Sequence, residues 1–314
     1  MGAFTLSSRA IIGTFYKRLE QNPGAWWIDK LSMLFQSDQG SETYKWLGMA
    51  PVMRQWIGGR QAKGFRENGL TIENLDFEAT IEVMVKELRR DKTGQVMVRI
   101  KELADRTNAH WAMLLSELVL GGASKLCYDG QYFFDTDHEE GKSGVQSNKL
   151  SVDLSELPVE KHGSIIAPSP EEMEQVILQG VTQLLGFKDD QGQPMNEGAN
   201  EFIVMLPTTL MTAGNAAITN PILTSGKTNT IITADFSIKP VINPRLTWND
   251  TFAVFRADGN VKPLIRQEEE AVQLKAIAEG SELEFNENKH QYGVDASRNV
   301  GFGYWQHACQ VKMV

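Results

Sequence analysis

Cysteine is nearly absent from this chain: Cys127 and Cys309 are its only two among 314 residues. Two cysteines are too few for a disulfide scaffold or a zinc knuckle, and they are typical of buried thiols in a reducing compartment. The sequence also lacks any run of about eighteen apolar residues, so no transmembrane helix is predicted. Its N-terminus lacks a basic segment followed by an apolar core, so we expect no secretory signal and a soluble protein made in the cytoplasm.

Basic residues are outnumbered by acidic ones, 31 to 40, which gives a formal net charge of -9. This balance argues against a protein whose main task is to grip a nucleic-acid backbone with a basic face. Hydrophobic residues make up 41% and charged residues 23% of the chain, as in ordinary globular proteins. The length suits one large domain or two interlocked ones.

Motifs for nucleotide or acyl chemistry are missing as well. Gly226, Lys227 and Thr228 resemble the end of a phosphate-binding loop, but Pro221 stands where that loop needs its first glycine. No Gly-x-Ser-x-Gly segment surrounds a serine, and the histidines are scattered, so no nucleophilic triad is predicted. We therefore expect that the chain is not an enzyme and needs no cofactor.

One segment, "DTDHEEG" at residues 135–141, has the composition of a metal site. Its oxygen and imidazole groups belong to Asp135, Asp137, His138, Glu139 and Glu140. However, Lys142 stands where a zinc-protease helix needs its second histidine, and the spacing of a calcium loop is missing. A solvated acidic loop is the favoured interpretation, and a metal-dependent enzyme centred on residues 135–140 stays a lesser alternative.

Helical periodicity is clearest in three segments. Residues 8–20 predict an amphipathic helix with Ser8 as candidate N-cap. Residues 95–120 predict a spine helix of about 40 Å. A third helix is predicted to begin after Ser169, with Pro170 at its first position.

Strand-like patterns alternate with these helices. Residues 71–85 alternate between polar and apolar side chains and predict an extended strand pair or a long hairpin, whose odd-numbered face is apolar from Leu75 onward. A buried strand is predicted at 201–207, and further strands at 229–242, 251–257 and 261–314, after a long loop at 139–170. These elements together predict an α+β fold.

Two segments near the N-terminus have large side chains without a clear core. Residues 21–43 form an irregular arm with Trp26, Trp27, Leu34 and Phe35, for which burial inside the subunit and an interface role both stay open. The stretch 44–65, "YKWLGMAPVMRQWIGGRQAKGF", has no histidine, cysteine or acidic residue. Its tryptophans are expected to fasten the arm, and its glycines to let the chain turn away into a reaching loop.

Two segments resemble the major head subunits of Mu-like phages. They are "YKWLGMAPVMRQWIGGR" followed by "NGLTIENLDFEATIEV", and the C-terminal "HQYGVDASRNVGFGYWQHA". The order of arm, charged hairpin, spine helix, α+β lobe and returning strands is similar to that of the Hong Kong 97-type capsid fold. The resemblance runs through nearly the whole chain.

The resemblance implies a structural protein, the major capsid subunit that assembles into hexamers and pentamers of an icosahedral phage head around double-stranded DNA. It implies an N-terminal arm at 1–58, an extension loop at 59–91, a peripheral domain with the spine helix at 92–167 and 251–314, and an axial domain at 168–250. Expected partners are further copies of the chain, a portal protein, a separate scaffold and a minor capsid or decoration protein, with no membrane. The expected location is the virion, after assembly in the bacterial cytoplasm.

An encapsulin-like compartment is the alternative that shares this fold. Such a shell would enclose enzymes rather than DNA, and it usually carries a groove for a cargo peptide. No motif for that groove is visible in the sequence.

Candidate inter-subunit contacts are aromatic and charged residues of the arm, the loop and the C-terminal strands. They are Trp46, Arg54, Trp56, Arg60, Lys63, Phe77, Arg89, Arg90, Glu268, Glu269 and Glu270. The acidic triplet 268–270 is expected on an exposed element, where a second copy could present its basic residues 54, 60 and 63. We also expect that deleting residues 1–40 would leave a folded subunit that fails to form shells.

Overall fold

The computed structural model describes residues 7–22, 24–51, 53, 64, 69–91, 94–223 and 226–314. Its helices are α1 (Ser8–Gln21), α2 (Trp27–Leu31), α3 (Val85–Arg90), α4 (Gln95–Leu120), α5 (Pro170–Gly186), α6 (Met211–Thr219), α7 (Thr230–Thr233) and α8 (Glu282–Glu287). Its strands are β1 (Ser32–Gln36), β2 (Ser41–Tyr44), β3 (Leu70–Glu73), β4 (Leu75–Met84), β5 (Lys149–Val152), β6 (Glu201–Leu206), β7 (Ser237–Ile242), β8 (Thr251–Arg256), β9 (Leu264–Ile277), β10 (Lys289–Phe302) and β11 (Ala308–Met313).

The longest helix, α4, spans the residues that the periodicity predicts. It begins after Gly94, whose φ of 72° lies in the left-handed region that favours glycine. The carboxylate of Asp91 accepts hydrogen bonds from the backbone N–H groups of Gln95, at 2.8 Å, and Val96, at 3.1 Å. These two bonds satisfy N–H groups that have no partner within the helix.

Helix α1 packs on α4, and its cap differs from the predicted one. The N-cap is Ser7, whose hydroxyl accepts a 3.3 Å hydrogen bond from a backbone N–H in the first turn. Ser8 lies inside the helix, and its hydroxyl is 2.9 Å from that of Tyr292 in β10. Near the other end, Arg18 donates hydrogen bonds of 2.7 and 2.8 Å to the carboxylate of Asp105 in α4.

The arm is part of the subunit core. Helix α2 buries Trp27 and Leu31 in the main apolar cluster, and β1 pairs in parallel with β9 along its whole length. Burial inside the subunit is therefore confirmed for Trp27, whereas Trp26 and Leu34 are exposed and their interface role stays a prediction. The sequence did not predict α2 and β1, because a five-residue helix and a five-residue strand are too short to show a periodic pattern.

Strands β1, β9, β10 and β4 form one sheet in that order. The hairpin predicted at 71–85 is wrong: β3 pairs with β2, whereas β4 pairs antiparallel with β10, with Leu75 opposite Arg298. Asn74 alone separates β3 from β4, and a hairpin needs at least two turn residues, so the chain continues extended to a new partner. The apolar odd-numbered face is confirmed at Val83, which is buried, and at Phe77, which is half-buried, but Leu75 and Ala79 on the same face are exposed.

A second sheet has the strand order β5-β11-β8-β6-β7. Strand β5 lies inside the loop predicted at 139–170 and pairs in parallel with β11. Strand β6 pairs in parallel with β7 and antiparallel with β8. The domain boundary expected at residue 250 therefore falls between two strands, β7 and β8, of one sheet.

Helix α5 packs against this second sheet and begins as predicted. The hydroxyl of Ser169 accepts a 3.2 Å hydrogen bond from the N–H of Glu172, whose carboxylate accepts one of 2.7 Å from the N–H of Ser169. This reciprocal pair is a capping box. Further along, a Cβ on Gly180 would lie 2.9 Å from Cγ2 of Val254, so the absence of a side chain lets the helix approach β8.

Two apolar clusters hold these layers together. The larger one joins the second sheet, α5, α6, the arm and the end of α4. The smaller one joins α1, α3 and the first half of α4 to β4, β9 and β10. In the described part of the chain, every helix is too short or too polar to cross a membrane.

Candidate functional site

The acidic segment 135–140 is tied into the fold by its own side chains. Nδ1 of His138 lies 2.6 Å from Oδ2 of Asp129, and its fully buried ring stacks on Trp305 with centroids 4.0 Å apart. Asp135 accepts hydrogen bonds of 2.8 and 3.2 Å from two backbone N–H groups. Among the described residues, no group of three or more His, Cys, Asp or Glu side chains is placed to hold a metal ion. These groups stabilise their own loop.

The predicted contact residues of the stretch 44–65 fall into two groups. Trp46 is half-buried within its own subunit, with its ring centroid 6.1 Å from that of Phe35 in β1 and 5.6 Å from that of Tyr304. It therefore joins the arm to the C-terminal part of the chain. Outside the described residues lie Arg54, Trp56, Arg60 and Lys63.

Three other predicted residues meet in one groove, which we call the acidic groove. Phe77 of β4 and Glu269 and Glu270 of β9 line it, and its volume is about 470 Å³. The remaining lining residues are Asp76, Glu78, Lys275, Asp295, Ala296 and Ser297. Lys275 is the one basic residue among these lining residues, and its Nζ lies 2.6 Å from Oδ2 of Asp295. The lining therefore carries an excess of negative charge and would attract a basic surface.

The acidic triplet 268–270 is part of strand β9 rather than a separate exposed element. The register between β9 and β10 shifts on both sides of Ser297, which pairs with Glu270, so β9 carries extra residues here. Such bulges turn side chains away from the regular alternation, which allows Glu269 and Glu270 to line the same groove. Of the three, Glu270 is exposed, as predicted, whereas Glu268 and Glu269 are half-buried.

Phe77 also contacts an imidazole ring of α4 that the sequence did not indicate. Its ring centroid lies 4.4 Å from that of His110 on α4, edge to face. Burial, followed by the positive charges of Arg298 and Arg245, lowers the pKa of His110 to about 4. Arg298 of β10 is buried, and the sequence did not indicate this, because a lone arginine in an alternating strand gives no signal of burial. Its burial follows from the pairing of β10 with both β9 and β4.

Arg89 and Arg90 lie apart from the groove, on helix α3. The helix buries Val85 and Leu88 and leaves both arginines exposed. No ion pair among the described residues involves either arginine. The structure therefore separates the predicted contacts into the Trp46 contact, the acidic groove and the α3 surface.

Sequence comparisons give relatives among phage head proteins. The Mu-like prophage FluMu major head subunit of Haemophilus influenzae is 32% identical over 123 residues, 39% of this chain and 40% of the relative. The major capsid protein of Escherichia phage Mu is 31% identical over 124 residues, 40% of each chain. The matched part thus spans about 40% of the length of either relative.

Comparison with solved structures shows the fold. The procapsid of bacteriophage JBD30 matches with a TM-score of 0.56 at 21% identity, over 98% of this chain and 76% of that chain. The mature capsid of bacteriophage PhiM1 matches with a TM-score of 0.54 at 8% identity, over 91% and 86%. A virus-like particle from Pyrococcus furiosus matches with a TM-score of 0.51 at 11% identity, over 97% and 99%. The predicted α+β, Hong Kong 97-type capsid fold is confirmed.

A family model described as Mu-like prophage major head subunit gpT matches residues 7–156 and 239–314, well over half of the chain. Those residues include α4, the four strands of the first sheet and both segments that carry the resemblance in the sequence. The chain therefore belongs to the Mu-like prophage major head subunit gpT family.

Proposed function

We propose that this chain is the major shell subunit of a tailed-phage head, which self-assembles into hexamers and pentamers of an icosahedral shell around double-stranded DNA. The observation that carries the proposal is the match to a major head subunit family by a chain with a capsid fold along almost its whole length. An encapsulin-like compartment is not favoured, because the family model and the relatives are head subunits of Mu-like phages.

The exposed edge of the first sheet supports assembly from many copies. Strand β4 is the last strand of that sheet and pairs with β10 on one side. An unpaired strand edge invites pairing with another chain. The acidic groove adjoins this edge through Asp76, Phe77 and Glu78. A second copy that presents basic residues would cover both features.

The basic residues of the stretch 44–65 are the proposed occupants of that surface. The stretch contains the basic residues Arg54, Arg60 and Lys63. It has no acidic residue between positions 44 and 65 that would neutralise them. We propose that they meet Glu269 and Glu270 of a neighbouring copy. Such contacts between exposed charges are individually weak and salt-sensitive, but they add up over many copies.

The proposal also assigns each part of the chain to a structural part of the shell subunit. Residues 1–58 would serve as N-terminal arm, 59–91 as extension loop, 92–167 and 251–314 as peripheral domain, and 168–250 as axial domain. Since β6 and β7 share a sheet with β5, β8 and β11, the axial and peripheral parts would move as one body.

The proposed partners follow from the role of a head subunit. They are further copies of the chain, a portal protein, a scaffold protein, and a minor capsid or decoration protein, in the virion after assembly in the bacterial cytoplasm. A net charge of -9 would keep the packaged DNA from adhering tightly to the shell. We propose no catalytic activity.

Electron microscopy of the purified protein tests the function. We expect closed shells or tubes with a regular lattice of capsomers. Discrete small particles at all protein and salt concentrations would contradict a shell subunit. Shells that form only around a co-purifying enzyme would favour the encapsulin-like alternative instead.

A further inference from the structure

Helix α8, at the tip of the β9–β10 strand pair, presents an aromatic side chain to solvent. Phe285 is 90% exposed, and α8 has no buried residue at all. A large apolar ring so fully exposed loses the free energy that its burial would contribute. Contact of this ring with a second molecule would therefore be favourable.

The same tip carries negative charge. Glu282 and Glu287 are exposed on α8, on either side of Phe285. Glu287 lies 3.1 Å from Nζ of Lys289 in its own chain, whereas no cation among the described residues forms an ion pair with Glu282. A partner that fits α8 would thus offer positive charge together with a surface for an aromatic ring.

Helix α3 of the same chain has those properties. Lys86, Arg89 and Arg90 are exposed on it, and none forms an ion pair among the described residues. Guanidinium groups and the aliphatic stems of Lys and Arg both pack favourably on aromatic rings. The two helices are therefore complementary in charge and in chemistry.

The two helices lie at one end of the first sheet. The N–H of Val85, the first residue of α3, donates a 2.9 Å hydrogen bond to the carbonyl of Asn288, which follows α8. Met84 and Lys289, the neighbouring residues, pair in the ladder of β4 and β10. Each subunit thus offers a negative, aromatic surface and a positive surface side by side.

We propose that α8 of one copy docks on α3 of a second copy of this chain, with Phe285 against Arg89 and Arg90 and with Glu282 paired to one of them. In a heterologous arrangement each subunit uses α8 toward one neighbour and α3 toward another, and a suitable rotation closes the copies into a ring. This inference rests on the proposed function and names a pair of surfaces that would join shell subunits.

Three variants test the contact: Phe285→Ser, Glu282→Arg and Arg89→Glu. Each changes an exposed side chain, so the isolated subunit should keep the melting temperature of the parent at dilutions where both sediment as monomers. Each should weaken association at this contact about tenfold and lower the yield of shells, since a cation–π contact or ion pair of this kind contributes about one factor of ten. Val145→Ser, which removes another exposed apolar side chain far along the chain, should assemble like the parent.

The double variant Glu282→Arg with Arg89→Glu restores opposite charges and should recover most of the shell yield. Failure to recover both in this double variant and in Glu282→Arg with Arg90→Glu, or shell yields like the parent's in all single variants, would overturn the docking. Single variants that lower the melting temperature of the monomer, with recovery in the double variant, would place the pair inside one subunit and overturn it as well. If the parent itself forms no shells, the proposed function fails. If the parent forms shells and the single variants form them equally well, this inference alone fails.

Discussion

The guanidinium carbon of Arg298 lies 4.7 Å from the centroid of the Trp111 ring, and the side chain of Arg298 is only 3% exposed. Burial lowers the pKa of Arg298, and the nearby carboxylate of Glu268 acts in the opposite direction. Arg266 approaches the same ring to 5.6 Å. The indole face thus replaces part of the water that both cations lose when β9 and β10 pack beside α4.

A double-mutant cycle measures this relationship. Trp111→Ala should lower the free energy of unfolding by about 3 kcal/mol or more, because it removes a large packed ring and leaves a buried charge. Arg298→Met should be close to neutral, since it removes a buried charge and keeps the apolar stem. Trp111→Ala should therefore cost about 1–2 kcal/mol less in the Arg298→Met background. Denaturant unfolding of the four proteins gives the numbers, and strictly additive changes would exclude the cation–π contact.

His110 should make the subunit sensitive to mild acid. Its pKa of about 4 in the folded state lies below the value of about 6.5 in an unfolded chain. The unfolded chain therefore binds a proton first as the pH falls, so the stability present above pH 6.5 is lost progressively down to pH 4. His110→Asn should show a smaller drop in melting temperature between pH 7 and pH 5 than the parent. His307, whose burial lowers its pKa to about 3, should keep some acid sensitivity in the variant, and equal drops in both proteins would argue against this role of His110.

Two glycine-to-alanine substitutions should act with opposite sign. Gly180 in α5 has Val254 and Val311 within 3.1 Å of where its Cβ would be, so Gly180→Ala forces two rigid core side chains apart. We expect a loss of about 1–3 kcal/mol. Gly13 is exposed in α1 with nothing within 4 Å, so Gly13→Ala should stabilise the subunit by up to about 1 kcal/mol. Thermal unfolding distinguishes the two, and a stabilised Gly180→Ala variant would contradict the close packing of α5 on the sheet.

The arm should contribute directly to the stability of the subunit. Phe15 in α1 is fully buried in the smaller apolar cluster, so Phe15→Ala should cost about 3–5 kcal/mol. Leu34 in β1 is 46% exposed, and Leu34→Ala should cost less than about 1 kcal/mol. A deletion of residues 1–40 should therefore unfold the subunit, contrary to what the sequence alone indicates. A soluble, cooperatively folded deletion variant would show that the arm is dispensable for folding.

Local signals in the sequence predict the long helices α4 and α5 well. The span of α4 and the start of α5 after Ser169 depend on residues within one or two turns, and both are confirmed. Pairing between distant strands is different, because alternation shows that β4 is a strand with an apolar face but not which strand lies beside it. The neighbour is β10, near the other end of the chain, rather than β3 next to it.

For the candidate site, too, the sequence indicates individual residues but not which of them lie together in the folded subunit. Charge and composition predict Phe77, Glu269 and Glu270 as contact residues, but their meeting in one groove depends on bulges in β9 that no residue pattern indicates. Arg298 was missed because its burial results from strands on both sides. The roles of these residues toward other copies stay predictions that single-subunit geometry motivates.

The distance along the chain between paired strands sets an order of events during synthesis. Leu75 pairs with Arg298, which lies more than two hundred residues later in the chain, and β1 is separated from its partner β9 by a similar length of chain. At about 5–20 residues per second, the first sheet would remain incomplete for roughly 10–45 s while the ribosome finishes the chain. The acidic groove and the junction of α3 with α8 both depend on that sheet, so a nascent chain cannot offer these surfaces to a growing lattice. Only a finished, released polypeptide is then competent to be recruited.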